Sequence, residues 1–479
     1  MITFAYYIKR MSLKMIKSAF LVAFLVFAGP CVIADKKIVC YFGSWAAYRP
    51  GRGKFEVNDI DPMLCTHMVY TFVGIITDGN VNVLDSWMDL PNGKDGFGKF
   101  TRLRESSPGT KAMVAIGGWN EGSVKYSQVA GNPATRATFV KNVVAFLKKY
   151  NFDGFDVDWE YPNQRGGKPS DKENYVALLK ELREEFDKHG FILSIAVAAA
   201  EGSASKSYHI SQISKYVHFI NLMAYDFNGS WNRFTGMNAP LYPSARDTGD
   251  QAKLNVDAAV HYWLSQGAST DKIILGIPTY GRSFTLVNPS NTDVGAPANG
   301  PGTAGPYTRE AGMLGYNEIC EYLRQGWSVK RSKEHGVPYA FKGNQWVGYD
   351  DVTSVREKAN YINSKGLGGA MLWSVETDDF SGSCGDNYPL LSALNIVLRG
   401  VTPAPAPPNR PKPDVTLPPP SSSLCKQEGF VRDPKDCSTF YQCQLVNNEY
   451  VAHKFRCGAG LVFDPSIVAC NYKYLVSGC

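Results

Sequence analysis

Eight short apolar runs recur along the chain, most of them too continuous for a half-exposed surface strand. They are Lys37–Phe42 (KIVCYF), His67–Phe72 (HMVYTF), Ala112–Gly118 (AMVAIGG), Phe152–Glu160 (FDGFDVDWE), Ile192–Ala198 (ILSIAVA), Phe219–Asp226 (FINLMAYD), Ile273–Gly281 (IILGIPTYG) and Gly368–Ser374 (GGAMLWS). Between several of them, apolar residues fall at helical spacing. One stripe carries Phe139, Val143, Phe146 and Leu147. A second carries Tyr175, Leu178, Leu179, Leu182 and Phe186, ending near Gly190. A third carries Val256, Val260, Trp263 and Leu264, ending at Gly267. Strands buried on both faces and alternating with amphipathic helices predict an α/β fold. Eight of them predict a closed (β/α)8 TIM barrel, with an open doubly wound sheet as the rival. About 85 residues separate the seventh and eighth runs, too many for one crossover helix. They predict an α+β insertion over about residues 282–349, whose Tyr and Gly content suits a wall beside a cleft.

The fourth run breaks the pattern by carrying acids. In a strand, residues two apart share a face, so Asp156, Asp158 and Glu160 line one side and Phe155, Val157 and Trp159 the other. In a barrel the acidic side faces the interior, and Glu160 falls at the carboxyl end, where barrel enzymes keep their chemistry. Burial and like-charge repulsion both raise a carboxyl pKa, which holds one group protonated near neutral pH, as a general acid requires. Asp153 reads differently: a single acid off that face is expected to satisfy a backbone amide or a base.

The ends of the chain add two further segments. Lys9, Arg10, Lys14 and Lys17 precede the apolar stretch Ala19–Ala28, and Val32 and Ala34 provide small-residue cleavage positions. This is the layout of a secretory signal peptide over residues 1–34, and ten apolar residues are too few for a membrane span of roughly 20. Without that leader, 46 basic residues face 44 acidic ones, so charge gives no case for a nucleic-acid or membrane partner. Residues 400–423 hold nine prolines and read as an extended linker. The sequence thus divides into a leader, a barrel over 35–399, the linker, and a tail over 424–479 that carries six of the ten remaining cysteines. An even cysteine count in a secreted chain favours disulfides over free thiols or a metal site.

Asp153-x-x-Asp156-x-Asp158-x-Glu160 resembles the signature of family 18 glycoside hydrolases, the chitinases. The segments CYFGSWAAYRPG, AIGGWN, MAYDFNGSW, PTYGRSF, GPYTREAG and GGAMLWSVETDDF follow in the family's order. The resemblance implies a retaining, substrate-assisted hydrolysis of β-1,4-linked N-acetylglucosamine. Glu160 would be acid and base, and Asp158 would stabilise the acetamido group. Asp156 would share a proton with Asp158, and Tyr225 would bond the attacking carbonyl. Trp373 would floor the pocket. Tyr41, Trp45, Phe72, Gly118, Trp119, Met223, Asp226, Trp231, Tyr280, Arg282, Glu310 and Met371 would be substrate-binding positions. Asn228 begins a formal glycosylation sequon, but it lies on the expected rim, where a glycan would obstruct substrate, and is read as unmodified.

The tail spacing C-x11-C-x5-C-x13-C-x12-C-x8-C resembles the peritrophin-A type of chitin-binding module. Spacing alone leaves fifteen pairings open. The resemblance implies Cys425–Cys443, Cys437–Cys479 and Cys457–Cys470; in the barrel, Cys40 is expected to pair with Cys65 and Cys320 with Cys384. Tyr441, Tyr450, Phe455, Phe463 and Tyr472 divide between ligand stacking and core in a way the sequence does not separate. Chitin and N-acetylglucosamine oligomers are the expected partners of a secreted monomer, with no cofactor or metal. The rival readings are a chitin-binding lectin of weak activity and a hydrolase of other N-acetylglucosamine glycans.

Overall fold

The computed structural model describes residues 36–401 and most of 425–479, omitting 428, 447–448, 458–460, 466–468, 474–475 and 477–478. The expected signal peptide and the proline-rich segment from residue 402 lie outside the described residues. The chain divides into two compact units, Met1–Ala406 and Pro407–Cys479.

All eight apolar runs of the first unit form strands: β1 (Lys37–Gly43), β2 (His67–Ile75), β3 (Lys111–Gly117), β4 (Gly154–Asp158), β5 (Ile192–Ala198), β6 (Phe219–Met223), β7 (Ile273–Pro278) and β8 (Gly369–Trp373). They pair in parallel, each with its sequence neighbours. β1 pairs with both β2 and β8, through Val39↔His67 and Lys37↔Gly369, which closes the barrel and excludes the open sheet. The three helical stripes form helices Pro133–Tyr150, Asp171–Asp187 and Val256–Ser265 and bury their apolar faces. Gly190 and Gly267, both at positive φ, follow the second and third, as a chain leaving a helix requires.

Two apolar layers result. The outer one packs Phe155, Val157 and Trp159 of β4 and its vicinity against residues such as Leu178, Leu182 and Phe139 of the helices. The inner one fills the barrel with Val39, Tyr41, Val69, Met113, Ala115, Phe219, Ile274 and Met371. The insertion between β7 and β8 is an antiparallel sheet whose first strand, Tyr280–Leu286, begins directly after β7. Its helix Tyr316–Arg324 presents Ile319 to a small core of its own with Leu314, Ala340 and Val347.

The second unit is a three-stranded antiparallel sheet (Gly429–Arg432, Thr439–Val446, Glu449–Arg456) and a hairpin (Leu461–Asp464, Ala469–Tyr472). Disulfides join Cys425 to Cys443 and Cys437 to Cys479 here, and Cys40 to Cys65 and Cys320 to Cys384 in the first unit. Cys457 is disulfide-bonded, and the side chain of Cys470 lies outside the described residues. Phe463 is 1% exposed and stacks on Phe440 at 4.2 Å, so this ring is core. Tyr441 donates its hydroxyl to Asp433, and Tyr450 is half-buried. The side chains of Phe455 and Tyr472 lie outside the described residues.

Candidate active site

Side chains along β4 divide by parity, and the inward face meets residues of three other strands, β1, β5 and β6, at one carboxylate. Asp156 Oδ2 accepts from Tyr41 of β1 at 2.7 Å. Asp156 Oδ1 accepts from Ser194 of β5 at 2.6 Å and Asn221 of β6 at 3.1 Å. Burial raises the Asp156 pKa, and the three donors offset only part of that rise. One step toward the rim, Asp158 is 3% exposed and its Oδ1 has no hydrogen-bond partner. Burial, then the charges of Glu160 and Asp156, hold its pKa well above the ordinary carboxyl value. The expected proton sharing between Asp156 and Asp158 therefore does not appear as a hydrogen bond here. Both Asp156 oxygens are engaged by other donors, and Glu160 weighs on Asp158 more than Asp156 does. Asp153 is paired, accepting from the Ala112 amide at 2.8 Å and facing Arg104 at 2.6 Å.

Glu160 lies two residues beyond the end of β4, at the carboxyl rim, and is 9% exposed. Burial pushes its carboxyl up to about 7, against the Tyr161 hydroxyl and the Arg165 guanidinium, which pull it down. Near neutral pH it is thus poised between proton donor and acceptor. The approach to it is shaped by Gly117 and Gly118, both at positive φ. A Cβ at Gly117 would sit 2.1 Å from the Asp158 carbonyl oxygen, and one at Gly118 would sit 2.7 Å from the Phe72 ring.

The next rim segments follow β6 and enter the insertion. Tyr225 donates to the sulfur of Met371 at 3.8 Å, and burial holds its phenol well above its usual range. Asp226, at φ 57°, accepts from the Tyr280 hydroxyl and from Arg282 Nε and Nη2, each at 2.7 Å. Arg282 lies 3.9 Å from the exposed Glu310. The insertion is tied to the barrel here by the bidentate Asp226–Arg282 ion pair, and elsewhere by the Cys320–Cys384 disulfide.

Aromatic rings occupy the remaining rim. Trp373, at the end of β8, lies 5.5 Å from Tyr41, 5.8 Å from Phe72 and 6.2 Å from Trp45. Trp45, Trp119 and Trp231 are 42%, 58% and 59% exposed, which is unusual for indoles and fits a cleft. Met223 is half-buried at the end of β6. Tyr41, Tyr280 and Met371 are at most 3% exposed and bond to Asp156, Asp226 and Tyr225 respectively.

Several residues of this constellation are absent from the sequence reading. Ser194 and Asn221 had a signal: each is the polar residue inside an apolar strand, on the inward parity. Tyr161 and Arg165 had none, because they lie in a loop without periodicity. The Asn228 side chain is buried, donating to the Met237 carbonyl at 3.1 Å and accepting from Gln251 at 3.0 Å, which leaves no room for a glycan. Among the described residues, one group has metal-like spacing: Cys320, Asp379 and Cys384. Its cysteines are already joined in a disulfide, and Asp379 accepts from the amides of Ser383 and Cys384.

Fold and site together define a barrel enzyme arranged for proton transfer at the carboxyl ends of its strands. Residues 37–378 match the family described as Glycosyl hydrolases family 18, and the chain belongs to that family. Residues 425–479 match the Chitin binding Peritrophin-A domain. The chain is 44% identical to probable chitinase 2 of Drosophila melanogaster, over 75% of this chain and 80% of that protein. It is 39% identical to chitotriosidase-1 of Mus musculus, over 91% and 95% of the two chains. Among solved structures it is similar to the group IV chitinase of Ostrinia furnacalis, with a TM-score of 0.74 and 48% identity, covering 76% of this chain and all of that one.

Proposed function

We propose that the protein is a secreted chitinase that hydrolyses β-1,4-N-acetylglucosamine linkages with retention, using the substrate's own acetamido group as nucleophile. The observation that carries this reading is the pair at the rim of β4: a carboxyl at Glu160 poised near neutrality, beside an Asp158 with an uncommitted oxygen. Both acids stand on one wall, so they do not flank a sugar from opposite faces as the two-carboxylate scheme requires.

Glu160 protonates the glycosidic oxygen. The acetamido carbonyl oxygen attacks the anomeric carbon as the C–O bond breaks, giving an oxazolinium ion and the free leaving chain. Asp158 accepts from the acetamido N–H, and the Tyr225 hydroxyl donates to the attacking carbonyl oxygen. Asp156, fixed by Tyr41, Ser194 and Asn221, stands behind Asp158 and tunes it. Glu160 then takes a proton from water as it opens the oxazolinium ring, restoring the β configuration. Trp373 floors the pocket, and the exposed indoles hold flanking sugars by stacking. The second unit binds the insoluble polymer. An extracellular setting is supported by the disulfides, which persist in oxidising compartments. Among the described residues, no helix is long and apolar enough to cross a membrane.

Glu160→Gln is expected to cut turnover of N-acetylglucosamine oligomers about 10³-fold while leaving retention on insoluble chitin unchanged. Turnover near the parent rate would reject the role of Glu160. Fresh products in the α configuration, or equal cleavage of deacetylated chains, would reject the acetamido nucleophile.

A further inference from the structure

Arg165 joins two rim loops with one guanidinium. Gly117 of β3 and Asp158 of β4 are partners in the sheet, and Trp119 and Glu160 each lie two residues beyond that pair. Arg165 Nη1 donates to the carbonyl oxygens of both, at 2.7 Å to Trp119 and 3.0 Å to Glu160. Its guanidinium carbon also sits 3.5 Å above the Trp119 ring centroid, so one face of this exposed indole is covered by a cation.

The loop is built to hold Arg165 there. Asn163, Arg165 and Gly166 all have positive φ, a costly conformation for the first two residues, kept only where the surroundings fix it. Those surroundings are visible. Ser123 Oγ donates to the Tyr161 carbonyl at 2.8 Å, and Ser207 Oγ donates to the Pro162 carbonyl at 2.7 Å. The fully buried Asp171 accepts from the Lys168 amide at 2.7 Å.

We infer that Arg165 is a positioning and specificity residue of the cleft: it leaves one face of Trp119 open to a sugar ring, and it sets a fixed positive charge at that sugar position. This inference rests on the chitinase reading. A neutral acetamido sugar stacks on the open face without penalty. A sugar whose amine has been freed and protonated brings a second cation to the guanidinium and is disfavoured, so the subsite selects acetylated chain. The charge and the flat stack are separable, because Lys keeps the first and loses the second.

The test compares the parent, Arg165→Met and Arg165→Lys on fully acetylated and partly deacetylated oligomers in mildly acidic buffer. Arg165→Met is expected to raise KM for the acetylated oligomer about 3–10-fold, and, because the guanidinium also holds the Glu160 carboxyl down, to move the pH profile of kcat upward. It is also expected to lower the preference for acetylated substrate about threefold. Arg165→Lys keeps the preference while its KM rises like that of the Met variant. Equal thermal midpoints establish that the variants are folded, and a binding titration of the oligomer by Trp fluorescence reads the same change without turnover. A parent enzyme that cleaves while Arg165→Met matches it in KM and preference would overturn this inference alone. A parent that cleaves neither substrate would overturn the chitinase reading and this inference with it.

Discussion

Two groups of buried charge in the barrel unit are handled in opposite ways. At the start of the helix Val352–Lys365, Asp350 and Lys358 have wholly buried side chains and form a two-pronged pair at 2.7 and 2.8 Å, with Ser354 donating to the same carboxylate. Burial pushes the Asp350 carboxyl up and the Lys358 ammonium down, and each partner's charge opposes that shift. At the head of β4, Asp158 and Glu160 are nearly as buried, yet no base neutralises Asp158 and its Oδ1 is unbonded. Burial of charge is thus common to structure and chemistry, and pairing is what separates them. A neutralised pair fixes a helix; an unneutralised acid keeps a proton available.

The sharpest way to break this contrast is to remove the base from the first group. Lys358→Met leaves Asp350 buried and alone, and is expected to cost about 3–5 kcal/mol of stability. Denaturant unfolding would show it, and turnover per folded molecule should stay near the parent value. Adding Asp350→Asn should recover most of the loss. If the single variant were as stable as the parent, the pair would not be the anchor described here.

The second group should respond with the opposite sign. Asp158→Asn is expected to lower kcat about 100-fold and to raise the thermal midpoint by about 2 °C at neutral pH, since it removes a buried carboxyl whose ionisation the fold does not compensate. The same sign governs pH. A carboxyl whose folded pKa is raised ionises less readily than in the unfolded chain, so stability falls as pH climbs from the ordinary Glu value of 4.5 toward the folded Glu160 value of about 7. Activity that needs protonated Glu160 should fall as pH rises through that same value. A kcat/KM profile flat to well above it would contradict the assignment. The smallest effect belongs to Ser194→Ala, which removes one of three donors to Asp156. A loss in kcat of about 3–10-fold with unchanged KM is expected.

Much of the fold can be read from the sequence because parallel strands in a covered barrel are buried on both faces and appear as unbroken apolar runs. The acids of β4 are visible for the same reason: they alone break such a run at period two. Fold legibility fails where periodicity fails. The loop over residues 161–170 has neither helical nor strand pattern, so nothing in it announces that Arg165 will reach back over Trp119. Tyr41 and Tyr280 show a second limit: alternation sends a ring inward without saying how deep it lies.

The pairing of β1 with β8 sets an order of events during synthesis. The first strand to leave the ribosome must wait for the last one before its second edge is covered, so the barrel is completed only after residue 373 has emerged. Its other edge need not wait. The Cys40–Cys65 bond fastens β1 to the segment leading into β2 over a short span of chain. Once formed, that tether holds the earliest strand beside its second-strand neighbour without any help from the last one.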